Sequence, residues 1–218
     1  MSDENENQVK SNLKNDPVYT PSELANLISF MVNAGLPMMV KGSPGQGKTE
    51  IFGQACAAND FDLIISHPVV DSPIDYKGFP AIVEIKPNGK SDAKATKEAT
   101  FLPFGDLKRL IDPQKKTVHL ADDLGHAPDM VKAAYGQLIS NRGINGHKIS
   151  DNVVFMAATN SKDDKAGVKG MITMLKDRFV AIVELVNSLN DWTDWANRNH
   201  MPHELISWVR YRPAVLNA

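Results

Sequence analysis

The run Gly42-Ser43-Pro44-Gly45-Gln46-Gly47-Lys48-Thr49 limits what this chain can fold into more than any other stretch. It fits the pattern G-x-x-x-x-G-K-[ST], and its flanks are the ones that pattern requires. Before it stands LPMMVKG, short and apolar, which reads as a buried strand; after it EIFGQACAAN reads as a helix. The glycines let the backbone curl so that several N–H groups face phosphate oxygens, and the helix start adds its positive end. In such a loop Lys48 reaches the β- and γ-phosphates and Thr49 ligates Mg²⁺. Gly42 to Thr49, with Glu50 behind them, are therefore the expected cradle of a nucleoside triphosphate.

A loop of this kind hangs from a parallel sheet, and the rest of the chain supplies one. DLIISHP reads as a strand, FGDLKRLID as a helix, TVHLAD as a strand, PDMVKAAYGQLISNR as a helix and NVVFMAATN as a strand, with FVAIVELV as a further strand. This alternation predicts an α/β fold with a parallel sheet covered on both faces. Upstream, Thr20 and Glu23 form a capping box for a helix with Pro21 at its first position. Residues 1–17 are polar, lack apolar periodicity and read as a mobile tail. Asp71 to Thr100 breaks the rhythm with Gly, Pro, Lys and Ser, and reads as a surface insertion. From Trp192 the chain reads as helical again, the start of a small second domain.

The length of 218 residues allows one domain, or one with a small appendage. Lys and Arg number 24 against 26 Asp and Glu, so no global charge drives binding to nucleic acid or an acidic membrane. No apolar run approaches the roughly 20 residues of a membrane span, and no signal peptide opens the chain. Cys56 is the only cysteine and sits among Ala and Phe in a helix, so it reads as core. A reducing, cytoplasmic setting fits.

The second informative stretch is HLADDLGHA, residues 119–127. A buried strand there delivers acids to its carboxyl end, where ligands gather in an open parallel sheet. Asp122 is the expected Mg²⁺ partner, and Asp123 is placed to polarise a water for in-line attack on the γ-phosphate. His119 reads as a core histidine. His126 stands alone without metal-ligand spacing. DDLG also fits the D-x-x-G of GTPases, and NSKDD resembles their guanine reader. Guanine recognition needs Asn next to Lys and Asp two positions on, whereas Ser161 separates Asn160 from Lys162 and Asp163 follows directly. Asn160 has a better role at the end of VVFMAATN, where it orients the attacking water. Arg178, in LKDRF, precedes a buried Phe179 and is expected to project into a neighbouring subunit's nucleotide, stabilising transition-state charge.

Taken in order, GSPGQGKT, VHLADDLGHAP, AATN and LKDRF resemble an AAA+ ATPase, and most of all the MoxR branch. DSPIDYKGFP resembles that branch's segment after the second strand. LADDLGHAPDMVKAAYGQLISNRGINGHKISDNVVFMAATN is similar to its Walker B, following helix, β-hairpin insert and sensor 1. DWTDWANRNHMPHELISWVRYRP resembles the start of its helical lid, as in small phage-type and bacterial members. The resemblance covers Pro17 to Ala218. It implies a P-loop NTPase αβα core over 18–188 and a partial helical lid over 189–218. It also implies ATP and Mg²⁺ as cofactors and a homo-oligomeric ring, commonly a hexamer. ATP hydrolysis in such rings remodels or activates a protein client, often with a von Willebrand A domain partner.

Two features depart from that family. Its Walker B usually ends Asp-Glu, whereas this one ends Asp122-Asp123. Asp is one methylene shorter, which sets its carboxylate about 1.5 Å further back, and a misplacement of about 1 Å can cost on the order of 10²-fold in rate. Slow hydrolysis is expected. The family's sensor 2 arginine lies in a Pro-Arg motif late in the lid; Arg210 and Arg212 do not match it, and relatives continue past Ala218. Two inserts carry specificity or are plain solvated loops: the stretch with Lys86, Lys90, Lys94 and Lys97 around a Pro87-Asn88-Gly89 turn, and RGINGHKIS, a hairpin around Asn145-Gly146. Two other readings remain. A DNA-associated ring ATPase of phage replication or packaging type is permitted by the lysines and disfavoured by the charge balance. A nucleotide-gated scaffold with very slow hydrolysis is suggested by Asp123 and the short lid.

Overall fold

The computed structural model describes residues 16–85, 96–160 and 175–217. The strands are β1 (Val18–Tyr19), β2 (Met38–Gly42), β3 (Asp62–Ser66), β4 (Phe79–Ile85), β5 (Thr96–Leu102), β6 (Thr117–Ala121), β7 (Gly143–Ile144), β8 (His147–Lys148), β9 (Val153–Asn160) and β10 (Ala181–Leu185). The helices are α1 (Pro21–Ala34), α2 (Lys48–Ala58), α3 (Pro73–Lys77), α4 (Gly105–Ile111), α5 (Asp129–Asn141), α6 (Leu189–Arg198) and α7 (His203–Tyr211). Six strands form one sheet in the order β1-β10-β2-β9-β6-β3, every pairing parallel.

The central strands are apolar along their whole length because both faces are covered. Every residue of β2 and β6 is buried, and all of β9 but Asn160. Alternation then splits the core in two. Val40, Met156 and Ala158 pack with Leu24, Ile28 and Phe52 of α1 and α2. Met39, Phe155 and Ala157 pack on the other face with Leu107, Tyr135 and Leu138 of α4 and α5. Cys56 and His119 are both buried. The capping box of α1 forms, with the Thr20 N–H donating to Glu23 at 2.9 Å, and the helix stops at Gly35, whose φ of 70° suits glycine.

The register sets the site. Gly42 at the end of β2 stands opposite Asn160 at the end of β9, and Ala121, just before the two acids, stands opposite Ala157. The carboxyl ends of β2, β6 and β9 therefore meet at one edge.

The segment read as an insertion holds more order than its composition suggested. It contains α3 and an antiparallel ribbon, β4 with β5, paired from Phe79↔Leu102 to Ile85↔Thr96 and separate from the main sheet. Lys86, Pro87-Asn88-Gly89, Lys90 and Lys94 lie outside the described residues. The second insert is the hairpin its Asn-Gly pair predicts, β7 to β8, with Asn145 at φ 49° and Gly146 at φ 84°. It is pinned to the first insert. The Asn145 amide donates to the Lys77 carbonyl at 2.9 Å, and the His147 ring bonds the Phe101 carbonyl at 2.6 Å.

Within the span read as a tail, Asp16 and Pro17 are tied to the sheet: Lys41 donates to Asp16 at 2.8 Å, and the Glu184 N–H donates to the Pro17 carbonyl at 2.9 Å. At the other end, Asp191 of α6 accepts from the Ser22 N–H at 2.8 Å, which holds α6 to the start of α1. Among the described residues no helix is long and apolar enough to cross a membrane.

Candidate active site

The loop between β2 and α2 turns on two glycines, Gly45 and Gly47, both at φ +78°, a conformation an L side chain adopts only at a cost. Apart from the flanking residues, no atom lies within 4 Å of where their Cβ atoms would be, so it is the backbone conformation, not crowding, that favours glycine at both positions. At Gly42 a Cβ would meet the Gln46 side-chain oxygen. That oxygen is buried and has no hydrogen-bond partner among the described residues.

Lys48 opens α2 and is buried. Its ammonium donates to the carbonyls of Gly42 at 3.1 Å and Ser43 at 3.0 Å, and to the Asn160 side-chain oxygen at 3.0 Å. Burial lowers its pKa, and the negative charges of Asp123 and Asp122 pull it back up. The next residue, Thr49, donates its hydroxyl to Asp122 at 2.8 Å. The Asn160 amide donates to Asp123 at 3.2 Å. One side chain from the end of β9 thus touches both the loop lysine and the second acid. The strand ends bring Lys48, Thr49, Asp122, Asp123 and Asn160 together.

Two local features of this cluster have no signature in the sequence. Asp123 sits in the left-handed region, at φ 54° and ψ 34°. Asp and Asn are several-fold enriched there, which corresponds to an advantage of about 0.5–1 kcal/mol over other side chains. The Asp123 N–H donates to the Asp122 carboxylate at 3.1 Å, closing the turn locally. The second feature is Gly125, where a Cβ would collide with the hydroxyl of buried Thr159. Gly125→Ala is expected to cost roughly 1–3 kcal/mol through overpacking. That would lower the melting temperature by about 2–4 °C per kcal/mol. Calorimetry showing an unchanged melting point would remove this contact as a constraint.

Arg178 takes a different position from the cluster. Its side chain lies across α5 at Gly136, where a Cβ would come within 2.7 Å of Nε. It is half-buried and, among the described residues, its guanidinium makes no hydrogen bond or ion pair. Arg178 is thus not brought against Lys48, Asp122, Asp123 or Asn160 of its own chain by any contact described. Ser43, Pro44 and Glu50 complete the loop and the first turn of α2, with Glu50 accepting from Gln54 at 2.9 Å.

No protein-family model matches the chain, and no curated protein matches it by sequence. Solved structures do match it. A point mutant of RuvB from Thermotoga maritima superposes with a TM-score of 0.52, at 16% identity, over 82% of this chain and 48% of RuvB. A second point mutant of the same protein gives 0.51, at 15% identity, over 79% and 47%. NtrX of Brucella abortus, in complex with ADP, gives 0.48, at 14% identity, over 77% and 35%. The fold is that of a P-loop NTPase. The chain spans about half the length of the RuvB chains it matches.

Proposed function

We propose that this chain binds Mg-ATP and hydrolyses it as an AAA+ ATPase of MoxR type, in a homo-oligomeric ring that acts on a protein client. In this reading 18–188 are the αβα core, to whose edge Asp16 and Pro17 are tied, and 189–218 the beginning of a helical lid. The observation that carries the proposal is the linked chain Lys48–Asn160–Asp123, with Thr49 on Asp122 beside it. The residues fit the nucleotide they would hold. The loop turns on Gly45 and Gly47 at positive φ, its lysine is held by oxygen acceptors alone, and the hydroxyl of Thr49 already faces a carboxylate. Among the described residues no three His, Cys, Asp or Glu side chains form a metal site of their own. A Thr–Asp pair supplying two oxygens suits Mg²⁺, which keeps waters and phosphate oxygens as its other ligands.

When bound, Mg-ATP supplies the phosphoryl group and the cation that neutralises developing charge. The protein's part is positioning. Backbone N–H groups from Gly45 to Thr49 bind phosphate oxygens, and Lys48 exchanges its carbonyl partners for them. Thr49 and Asp122 orient the cation. Asp123 accepts a proton from the attacking water, and Asn160 holds both Asp123 and that water in line.

Asp123 also favours a second reading, a nucleotide-gated scaffold that hydrolyses very slowly, because its carboxylate is short and already engaged by Asn160. One pair of variants separates the two. Asp123→Asn is expected to keep ATP affinity and lose hydrolysis by roughly 10²–10⁴-fold, the range for a positioned base. Asp123→Glu is expected to keep or raise turnover, at a small cost in stability from the left-handed backbone. If Asp123→Asn turns over at the wild-type rate, Asp123 is not the base. If wild type binds ATP tightly without turnover, the scaffold reading stands.

A further inference from the structure

A cavity of about 260 Å³ lies where β3 and β6 meet α3 and α4, on the face of the sheet that carries α5. None of the loop residues Gly42 to Thr49 lines it, nor do Asp122, Asp123 or Asn160. Its chemistry is lopsided. Phe104, Leu107 and Leu110 give it an apolar wall, and three acids, Asp71, Asp75 and Asp106, line it together with His67. Asp106 is matched by Arg109 at 3.0 Å. Asp71 accepts from the Tyr76 hydroxyl at 2.6 Å, and Asp75 accepts from the Ser72 N–H at 2.7 Å. Neither Asp71 nor Asp75 has a cationic partner among the described residues, and no Lys or Arg lines the cavity.

The second observation is His119, which also lines the cavity. It is 1% exposed, and its Nδ1 has no hydrogen-bond partner among the described residues. Burial, with Arg109's charge acting the same way, pushes its pKa down to about 3. The ring is therefore neutral, does not repel a cation, and keeps one nitrogen lone pair to accept an N–H. A buried polar nitrogen left unpaired costs free energy that a donor in the cavity would recover. Burial and the Asp71 hydrogen bond both raise the Tyr76 hydroxyl's pKa, so it stays protonated and fixes the Asp71 carboxylate in place.

We propose that this cavity is a binding site for a small organic cation, an amidine or amine on a single apolar ring. The ring packs on Phe104 and Leu107. The cationic head meets Asp71 and Asp75, and one of its N–H groups reaches His119. The site is tied to the sheet edge that carries the acids, since the Asp122 N–H donates to the carbonyl of Ser66, a lining residue, at 3.0 Å.

The test uses the full chain and benzamidine as probe, followed by NMR chemical shifts, with benzoate as the ring-matched anion. Benzamidine is expected to give saturable shifts at Ser66, Tyr76 and the His119 ring, and benzoate none. Asp71→Asn, and separately Phe104→Ala, should each weaken binding at least tenfold; both positions are partly exposed, so the variants are expected to fold. Saturating Mg-ATP should leave the benzamidine shifts in place. The proposal is overturned by an absence of saturable shifts, which would leave a water-filled cavity only. It is equally overturned by benzoate binding as well as benzamidine, by affinity unchanged in both variants, or by shifts centred on Asp123 that Mg-ATP displaces.

Discussion

Lys48→Ala is expected to abolish ATP binding at ordinary nucleotide concentrations. Among the described residues the lysine is the one side-chain cation bonded within the loop, and it already sits in an all-oxygen cage of Gly42, Ser43 and Asn160. With phosphate in the loop, the ammonium exchanges neutral carbonyl acceptors for anionic oxygens. Two such bonds at roughly 1.5–3 kcal/mol each correspond to a loss on the order of 10²-fold or more in affinity. Alanine also removes the positive charge that Asp122 and Asp123 act on, leaving Mg²⁺ as the only cation between the acids and the phosphates in this reading. Titration calorimetry, or displacement of a fluorescent nucleotide, measures the effect. The fold should survive, because Lys48 stands at the start of α2 and the packing of that helix rests on Ile51, Phe52 and Ala55. An unchanged affinity in a folded Lys48→Ala protein would defeat the phosphate-binding assignment.

What the sequence disclosed follows from which signals are periodic or local. The parallel sheet was legible because β2, β6 and β9 are buried on both faces and so read as unbroken apolar runs. The β7–β8 hairpin was legible because Asn145-Gly146 is a local turn code. The ribbon of β4 and β5 was hidden. Its residues are largely exposed, so Thr96, Lys97 and Glu98 show no apolar alternation, and only the pairing with Val83, Glu84 and Ile85 makes them a strand. Within the candidate site, Lys48, Thr49, Asp122, Asp123 and Asn160 could be named in advance because each ends or follows a legible strand. Their mutual contacts could not. That Asn160 bridges Lys48 and Asp123 depends on β9 lying between β2 and β6, which is topology rather than pattern. The left-handed backbone of Asp123 gives a physical reason for a short acid there that chain-length arguments about Asp and Glu do not contain. The seat of Arg178 on Gly136 depends on two elements distant in sequence meeting at one glycine, and no periodicity reports it.

Arg178→Ala is expected to bind ATP nearly normally and hydrolyse it slowly, by on the order of 10³-fold or more if the arginine acts on a neighbour's γ-phosphate. The geometry motivates this. Arg178 lies along α5 at Gly136, half-buried, and its guanidinium has no partner among the described residues of its own chain. A charged group held in place without a partner among the described residues suits an external one. The contact it would make is head-to-tail, the kind that builds a ring where the rotation closes rather than a two-fold dimer. Specific activity should then rise with protein concentration, because a lone subunit lacks the charge its neighbour supplies. Mixing Arg178→Ala with Asp123→Asn should restore part of the activity where subunits exchange. Some interfaces then pair an intact Asp123 with an intact Arg178. Restoration needs the two residues to act across an interface; a purely structural Arg178 would give no gain on mixing. The glycine beneath it provides an independent check. Gly136→Ala forces Nε and the Leu175 methyl, 3.0 Å from the new Cβ, to shift. It also gains helix propensity of about 1 kcal/mol. It should therefore lower activity without lowering the melting temperature much. Activity per subunit that is independent of concentration in a demonstrated monomer, and indifferent to Arg178→Ala, would rule out a catalytic arginine supplied across the interface.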